Sequence, residues 1–338
     1  MKDEKSPGQQ HTHLTYFRKL ACIFAVNSGM RAAAKDASKQ APFASEKACA
    51  LLGKKIMERA EMKILLQPKM DLRAKRVCGF EAFASPELDG ERLPASVFVP
   101  SIDMAHLQRS FDWRVLSAGF SLAGQARVDS AAPISFNVSP VTLCERGFAE
   151  KLGNMARKHG VDLAGVKVEV LEKAPLNMAG WAQMKRQMEK ARTLGFRFSI
   201  DDFGTGDANC SMLDLPAEEL KIDAFYVRSL NTRPAQRWVA SMLKLARDKG
   251  MSVCAEGVEH EWQVNILTVM GVDVGQGYLW AKSMEAAAAL RLVNKAASAT
   301  VLGCDVRLAA VGEKLDGRRA RIVQCESNPM KPTSKRLF

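Results

Sequence analysis

The chain has 338 residues, 47% of them hydrophobic, and a formal net charge of +12, so it can bury the core of one large α/β barrel or of two ordinary domains. No apolar run approaches the roughly 20 residues that span a bilayer. The eight cysteines stand far apart without a C-x-x-C pair, which argues against zinc and disulfide frameworks and suits reduced thiols in the cytoplasm.

Residues 1–61 form a basic N-terminal extension, with helical patterns at 32–39 and 45–63 that lead into the next domain; His11 and His13 lie in a polar stretch and read as solvated. From 62 to 298 short β-like runs alternate with longer helical patterns, as in parallel α/β folds. Eight strands are expected, at 63–67, 77–83, 134–138, 166–170, 196–201, 219–223, 251–256 and 272–276. Only residues 68–76 separate the first two, too few for a helical crossover, so these pair as an antiparallel hairpin. Between 180 and 194, Trp181, Met184, Met188, Ala191 and Leu194 share one helical face that is expected to be core, and Gly195 ends the helix. Residues 299–338 are a basic tail, expected to be partly disordered. Eleven basic and five acidic side chains in residues 1–60, and eight and four in 300–338, place most of the net charge at the two ends. No helix-turn-helix or groove-reading pattern accompanies them, so nucleic acid is not the expected partner. The whole is read as a modified TIM-type (β/α)8 barrel between a helical extension and a tail.

The run Phe198-Ser199-Ile200-Asp201-Asp202-Phe203-Gly204-Thr205-Gly206 ends a strand in two adjacent carboxylates and a glycine loop. Beyond it, the residues at or just past the strand ends are Gln67, Glu81, Asn137, Glu169, Lys221, Glu256 and Gln276. Polar groups on strand after strand destabilise a barrel unless they converge on ions and a substrate. An oxygen-rich set without histidine favours magnesium or manganese over zinc. The chemistry it suits is hydrolysis of a phosphate ester, in which two cations clamp a phosphodiester and Lys221 holds the water or the developing anion. There is no H-E-x-x-H, G-x-S-x-G or G-x-x-x-x-G-K-[ST], and no G-x-G-x-x-G after a strand.

Gln67-Pro68, Gly79-Phe80-Glu81-Ala82-Phe83, Asn137-Val138-Ser139-Pro140, Glu169-Val170-Leu171-Glu172, Asp201 to Gly206, Leu220-Lys221-Ile222-Asp223, Ala255-Glu256-Gly257-Val258-Glu259 and Gln276-Gly277-Tyr278 together resemble the EAL domain, the bacterial cyclic-di-GMP phosphodiesterase family. The resemblance implies a barrel that hydrolyses cyclic di-GMP to linear pGpG with two Mg2+ or Mn2+ ions. It implies that Glu81, Asn137, Glu169, Asp201, Asp202 and Glu256 surround the metals, that Lys221 and Glu256 are catalytic, that Gln67, Gln276 and Asp223 line the substrate site, and that Glu172 steadies the loop after Asp202. A homodimer is implied as well.

Several residues depart from the family pattern. Phe83 replaces the leucine of the signature, Leu171 a threonine, and Asp207 the tyrosine after the Gly-Thr-Gly. Ser85 stands where the family has an arginine that grips a substrate phosphate, and losing that guanidinium weakens substrate binding more than it disables the metals. The alternative expectation is a degenerate domain that binds cyclic di-GMP or a regulatory protein partner without turnover. No GGDEF-type cyclase motif is present.

Overall fold

The computed structural model describes residues 46–128, 131–171, 176–203 and 210–293. The first helix, α1 (Glu46–Arg59), leads into β1 (Glu61–Asp71) and β2 (Arg76–Leu88), followed by the short β3 (Glu91–Arg92), α2 (Ala95–Met104) and α3 (Gln108–Ala126). Then come β4 (Ile134–Val138), α4 (Pro140–Leu143), α5 (Phe148–His159), β5 (Val166–Leu171), α6 (Met178–Leu194) and β6 (Arg197–Phe203). The rest comprises β7 (Glu219–Ile222), α7 (Ala224–Arg228), α8 (Arg233–Asp248), β8 (Ser252–Ala255), α9 (Glu261–Met270), β9 (Val274–Gln276) and β10 (Met284–Glu285), with a further helical segment over 286–293.

The sheet closes in the order β1-β9-β8-β7-β6-β5-β4-β2 and back to β1. This is an eight-stranded barrel in which β1 runs antiparallel to both neighbours and all other barrel pairings are parallel. The eight expected strands are the eight barrel strands, and the hairpin forms as expected. Between β6 and β7 the described connection carries a 3-10 turn, Cys210–Asp214, in place of an α-helix.

The strands alternate. Ile134, Phe136, Val138, Val166, Val168, Val170, Phe198, Ile200, Leu220, Ile222 and Val253 are all buried, and Phe136 meets Phe120 of α3 with ring centroids 5.7 Å apart. This apolar set lies under the helices, and the alternate positions point into the barrel. The approach of α3 to β4 requires Gly119, since a Cβ there would lie 2.1 Å from the Phe136 ring. In α6, Met184, Met188 and Ala191 are core as expected and Gly195 ends the helix at φ 111°. Leu194 is not core: it is 41% exposed, because it sits in the last turn, beyond the stripe that meets the sheet.

The helix expected over 45–63 stops at Arg59, and β1 starts two residues later. The reason lies in α3. Arg114 donates to the carbonyls of Ile56 at 3.0 Å and Met57 at 2.6 Å, and also to Ala60 O. A guanidinium thus caps the helix C-terminus where the carbonyls have no helical partner. The helix expected at 32–39 and the tail at 299–338 lie outside the described residues.

Candidate active site

The inward positions at the C-terminal ends of the parallel strands converge on one ammonium. Lys221 of β7 is fully buried. Its Nζ lies 2.5 Å from Glu169 Oε2 of β5, 2.5 Å from Glu256 Oε1 just after β8, 3.0 Å from Asp201 Oδ1 of β6 and 3.3 Å from Glu81 Oε2 of β2. Four carboxylates from four strands, spread over 175 positions of chain, are therefore gathered at one end of the barrel.

An amide network holds Glu81 from the other side. Asn137 Nδ2 donates to Glu81 Oε1 at 2.7 Å, and Gln276 Nε2 donates to Glu81 Oε2 at 2.8 Å and to Gln67 Oε1 at 3.0 Å. Gln67 in turn donates to the Ala281 carbonyl at 3.0 Å. Of the sequence-derived site residues, Gln67, Glu81, Asn137, Glu169, Asp201, Lys221, Glu256 and Gln276 thus form one connected cluster. Asp223 is buried at the end of β7 and caps α7, its Oδ1 accepting from Phe225 N at 2.6 Å. Asp202 lies in β6, but its side chain is outside the description, and Glu172 and Asp207 lie outside the described residues. Ser85 is buried on β2 and stands directly opposite Lys63 of β1.

Two groups at the site escape a reading of the sequence. Lys69, two residues after Gln67 and on the same face of β1, lies 2.5 Å from Glu169 Oε1, 3.0 Å from Ser135 Oγ and 3.6 Å from Glu219 Oε1. It holds the second oxygen of the carboxylate that Lys221 holds by the first. Its signal in the sequence is the period-2 relation to Gln67. Asp112 of α3 is the other. Its Oδ2 accepts from Ser139 N at 3.0 Å, Ser139 Oγ at 2.5 Å and Thr142 Oγ1 at 2.6 Å, and its Oδ1 accepts from Gln108. That carboxylate fixes the turn immediately after Asn137.

Electrostatics follow from this crowding. Burial alone would lower the Lys221 pKa, but Asp201, Glu169, Glu256 and Glu81 override it and hold the ammonium well above its usual range. Burial would raise Glu169, yet Lys221 and Lys69 together hold it below the usual carboxylate range. Asp201 is pushed up to about 6 by burial, against the pull of Lys221 and with help from Glu169 and Glu81. Glu256 is raised well above its ordinary value, again by burial first and then by Asp201 and Glu81. A buried cluster in which some carboxylates ionise and others retain protons is a functional-site signature.

The donor set fits a hard divalent cation. It is all oxygen, four carboxylates outnumber the two ammoniums that face them, and Asn137 Oδ1 and Gln276 Oε1 are buried acceptors without a hydrogen-bond partner. Among the described residues no three carboxylate, histidine or cysteine groups are placed to hold a single ion, since the Lys221 ammonium itself lies between the carboxylates. No helix among the described residues is long and apolar enough to cross a membrane.

The EAL domain family model matches residues 51–283. Over 227 residues the chain is 33% identical to cyclic di-GMP phosphodiesterase PA2567 of Pseudomonas aeruginosa, a likeness covering 65% of this chain and 38% of that protein. The chain therefore spans well under half the length of that relative. The fold is similar to that of EAL enzyme Bd1971 in its cAMP- and cyclic-di-GMP-bound form, with a TM-score of 0.67 at 23% identity over 77% of this chain and 71% of that one. It is also similar to Klebsiella pneumoniae BlrP1 in complex with manganese and cyclic di-GMP, with a TM-score of 0.57 at 26% identity over 66% of this chain and 56% of that one. BlrP1 has a calcium complex as well.

Proposed function

The chain belongs to the EAL-domain family, and from that premise we propose that it hydrolyses cyclic di-GMP to linear pGpG with the help of magnesium or manganese. The observation that carries this reading is the fully buried Lys221 in contact with four carboxylates at the C-terminal mouth of the barrel, where (β/α)8 enzymes place their chemistry. Glu81, Asn137, Glu169, Asp201, Asp202 and Glu256 would hold the cations, which supply charge neutralisation at the phosphodiester and acidify water.

The chain's own side chains supply the rest. Lys221 positions the attacking water and, being held in its charged form, stabilises the developing negative charge. Glu256, whose side chain is 15% exposed and so the most accessible of the four carboxylates, accepts the proton of that water. Gln276 and Gln67 orient Glu81 and line the substrate or water site, Lys69 keeps Glu169 ionised, and Asp223 completes the substrate wall from the end of β7. Glu172 steadies the loop after Asp202. A homodimer acting in the cytoplasm completes the reading, in keeping with Cys78, Cys144 and Cys254, which form no disulfide.

A second reading, a receptor or partner-binding regulator without turnover, is favoured by Ser85, which leaves no permanent charge at its position to grip a phosphate. Purified protein incubated with cyclic di-GMP and Mg2+ or Mn2+, with pGpG followed by chromatography and Glu81→Ala run in parallel, separates the two. Turnover that disappears in the variant supports the hydrolase. Nucleotide binding without pGpG in the wild type overturns it in favour of the receptor.

A further inference from the structure

The opposite end of the barrel, where the parallel strands begin, holds a second charged chamber that the proposed reaction does not use. It is a cavity of about 160 Å³ lined by Lys69, Ser135, Lys167, Arg197 and Glu219, with Cys78 at its wall. A water occupies roughly 30 Å³ of liquid, so the chamber has room for a tetrahedral oxyanion and accompanying water. This end of a (β/α)8 barrel ordinarily serves stability, which leads one to expect its charges to be paired.

They are not fully paired. Lys167 Nζ lies 2.9 Å from Glu219 Oε2. Lys69 is 3.6 Å from Glu219 Oε1 but makes its closer contact, at 2.5 Å, with Glu169 in the layer above. Arg197 donates one Nη2 bond to the Ala164 carbonyl, while its Nε is buried with no acceptor. Among the described residues no carboxylate lies within ion-pair distance of that guanidinium. Three cations from β1, β5 and β6 border the chamber, and Glu219 is the single carboxylate on its wall. Lys69 and Lys167 thus have counter-charges, whereas the half-buried Arg197 has none, and an anion in the chamber would supply it.

We propose that this chamber binds a small oxyanion of the phosphate class, with Arg197 and Lys167 as its charged ligands and Ser135 Oγ as a neutral one. A guanidinium presents a planar fork of N–H donors matched to such an oxyanion. Lys69 bridges the chamber and Glu169, so occupancy reaches the upper cluster through that one side chain. The inference does not depend on which reaction the upper cluster performs.

The test is thermal unfolding of the full chain in EDTA against increasing inorganic phosphate, with potassium chloride holding ionic strength constant. Removing metals leaves the upper cluster rich in carboxylates and unattractive to phosphate, so the response reports the lower chamber. A saturable rise in Tm of about 3 °C or more is expected in the wild type, absent in Arg197→Met and partly kept in Arg197→Lys. A parallel calorimetric titration with phosphate is expected to give at least tenfold weaker binding in Lys167→Met, which keeps the proposal testable if Arg197→Met does not fold. No saturable response beyond that of chloride, or equal responses in wild type and variants, would overturn it.

Discussion

Replacing Lys69 by methionine keeps most of the apolar stem of the side chain and removes its ammonium, which probes the part this residue plays in holding Glu169. The variant loses the 2.5 Å contact to Glu169, the 3.0 Å bond to Ser135 and the 3.6 Å pair with Glu219. Breaking a buried ion pair by removing one partner costs about 3–5 kcal/mol, because an uncompensated charge stays behind. Here neither carboxylate is left wholly alone, since Glu169 keeps Lys221 and Glu219 keeps Lys167. The lower end, about 3 kcal/mol, is therefore expected. For a domain of this size that corresponds to a fall in Tm of about 6–12 °C.

Urea unfolding followed by circular dichroism in EDTA gives the free energy directly. The double variant with Glu169→Gln supplies the control: once the carboxylate is neutral, losing the ammonium matters less. The two costs together are expected to fall short of additivity by about 1–2 kcal/mol. A Tm within about 1 °C of wild type, or strict additivity in the cycle, would refute the account of Lys69 given above.

Lys221→Met is expected to lower turnover of cyclic di-GMP by about 10²–10⁴-fold, read as pGpG formed per minute, and activity within a factor of three of wild type would remove Lys221 from the mechanism. Asp112→Ala strands the Ser139 N–H and leaves the Ser139 and Thr142 hydroxyls only each other, and is expected to cost about 3 kcal/mol by denaturant unfolding, whereas Asp112→Asn keeps an acceptor in place and costs about 1 kcal/mol; equal losses would contradict the capping role. Asp201, with its pKa pushed up from 3.8 to about 6, and Glu256, also raised, hold protons that an incoming cation must displace. Affinity for Mn2+ is expected to fall at least about tenfold for each pH unit below about 6, measured by titration of free Mn2+ at pH 5, 6 and 7, and a flat profile would refute the shift. In the metal-free protein the same elevated value makes the Asp201 contribution to stability full below pH 3.8 and lost as pH rises through about 6.

The barrel strands and the polar residues at their ends were readable because inward and outward positions alternate along most of each strand, with irregularities after Lys69 and after Ile200. In Val166-Lys167-Val168-Glu169-Val170 the valines are fully buried and the two polar residues point inward, a period-2 signal that needs no knowledge of the partner strands. The contacts that complete the site could not be read that way. Lys69 meets Glu169 across 100 positions and Arg114 caps a helix 54 to 58 positions away, and both distances are set by closure of the barrel. Leu194 fits the apolar period of its helix yet is exposed, because periodicity identifies a face without saying how far along the helix that face stays covered. Asp112 looks like an ordinary polar residue of an amphipathic helix until Ser139 and Thr142 are folded against it.

Because β1 pairs on one side with its immediate successor and on the other with β9 and β10, the two edges of that strand are satisfied at very different times during synthesis. The β1–β2 hairpin is complete by Leu88, but the partner of Lys69 across the closing seam is Gln276. At the usual pace of translation the missing stretch takes roughly 10–40 s to appear. Through that interval β1 has an open edge of the kind that recruits other chains, and Pro68 with Lys63 and Lys69 supplies the proline and lysines that discourage such pairing. Glu81 acquires its Gln276 clamp only when the seam shuts. A chain that stops short of residue 276 thus has most of its barrel and a Glu81 without its Gln276 clamp.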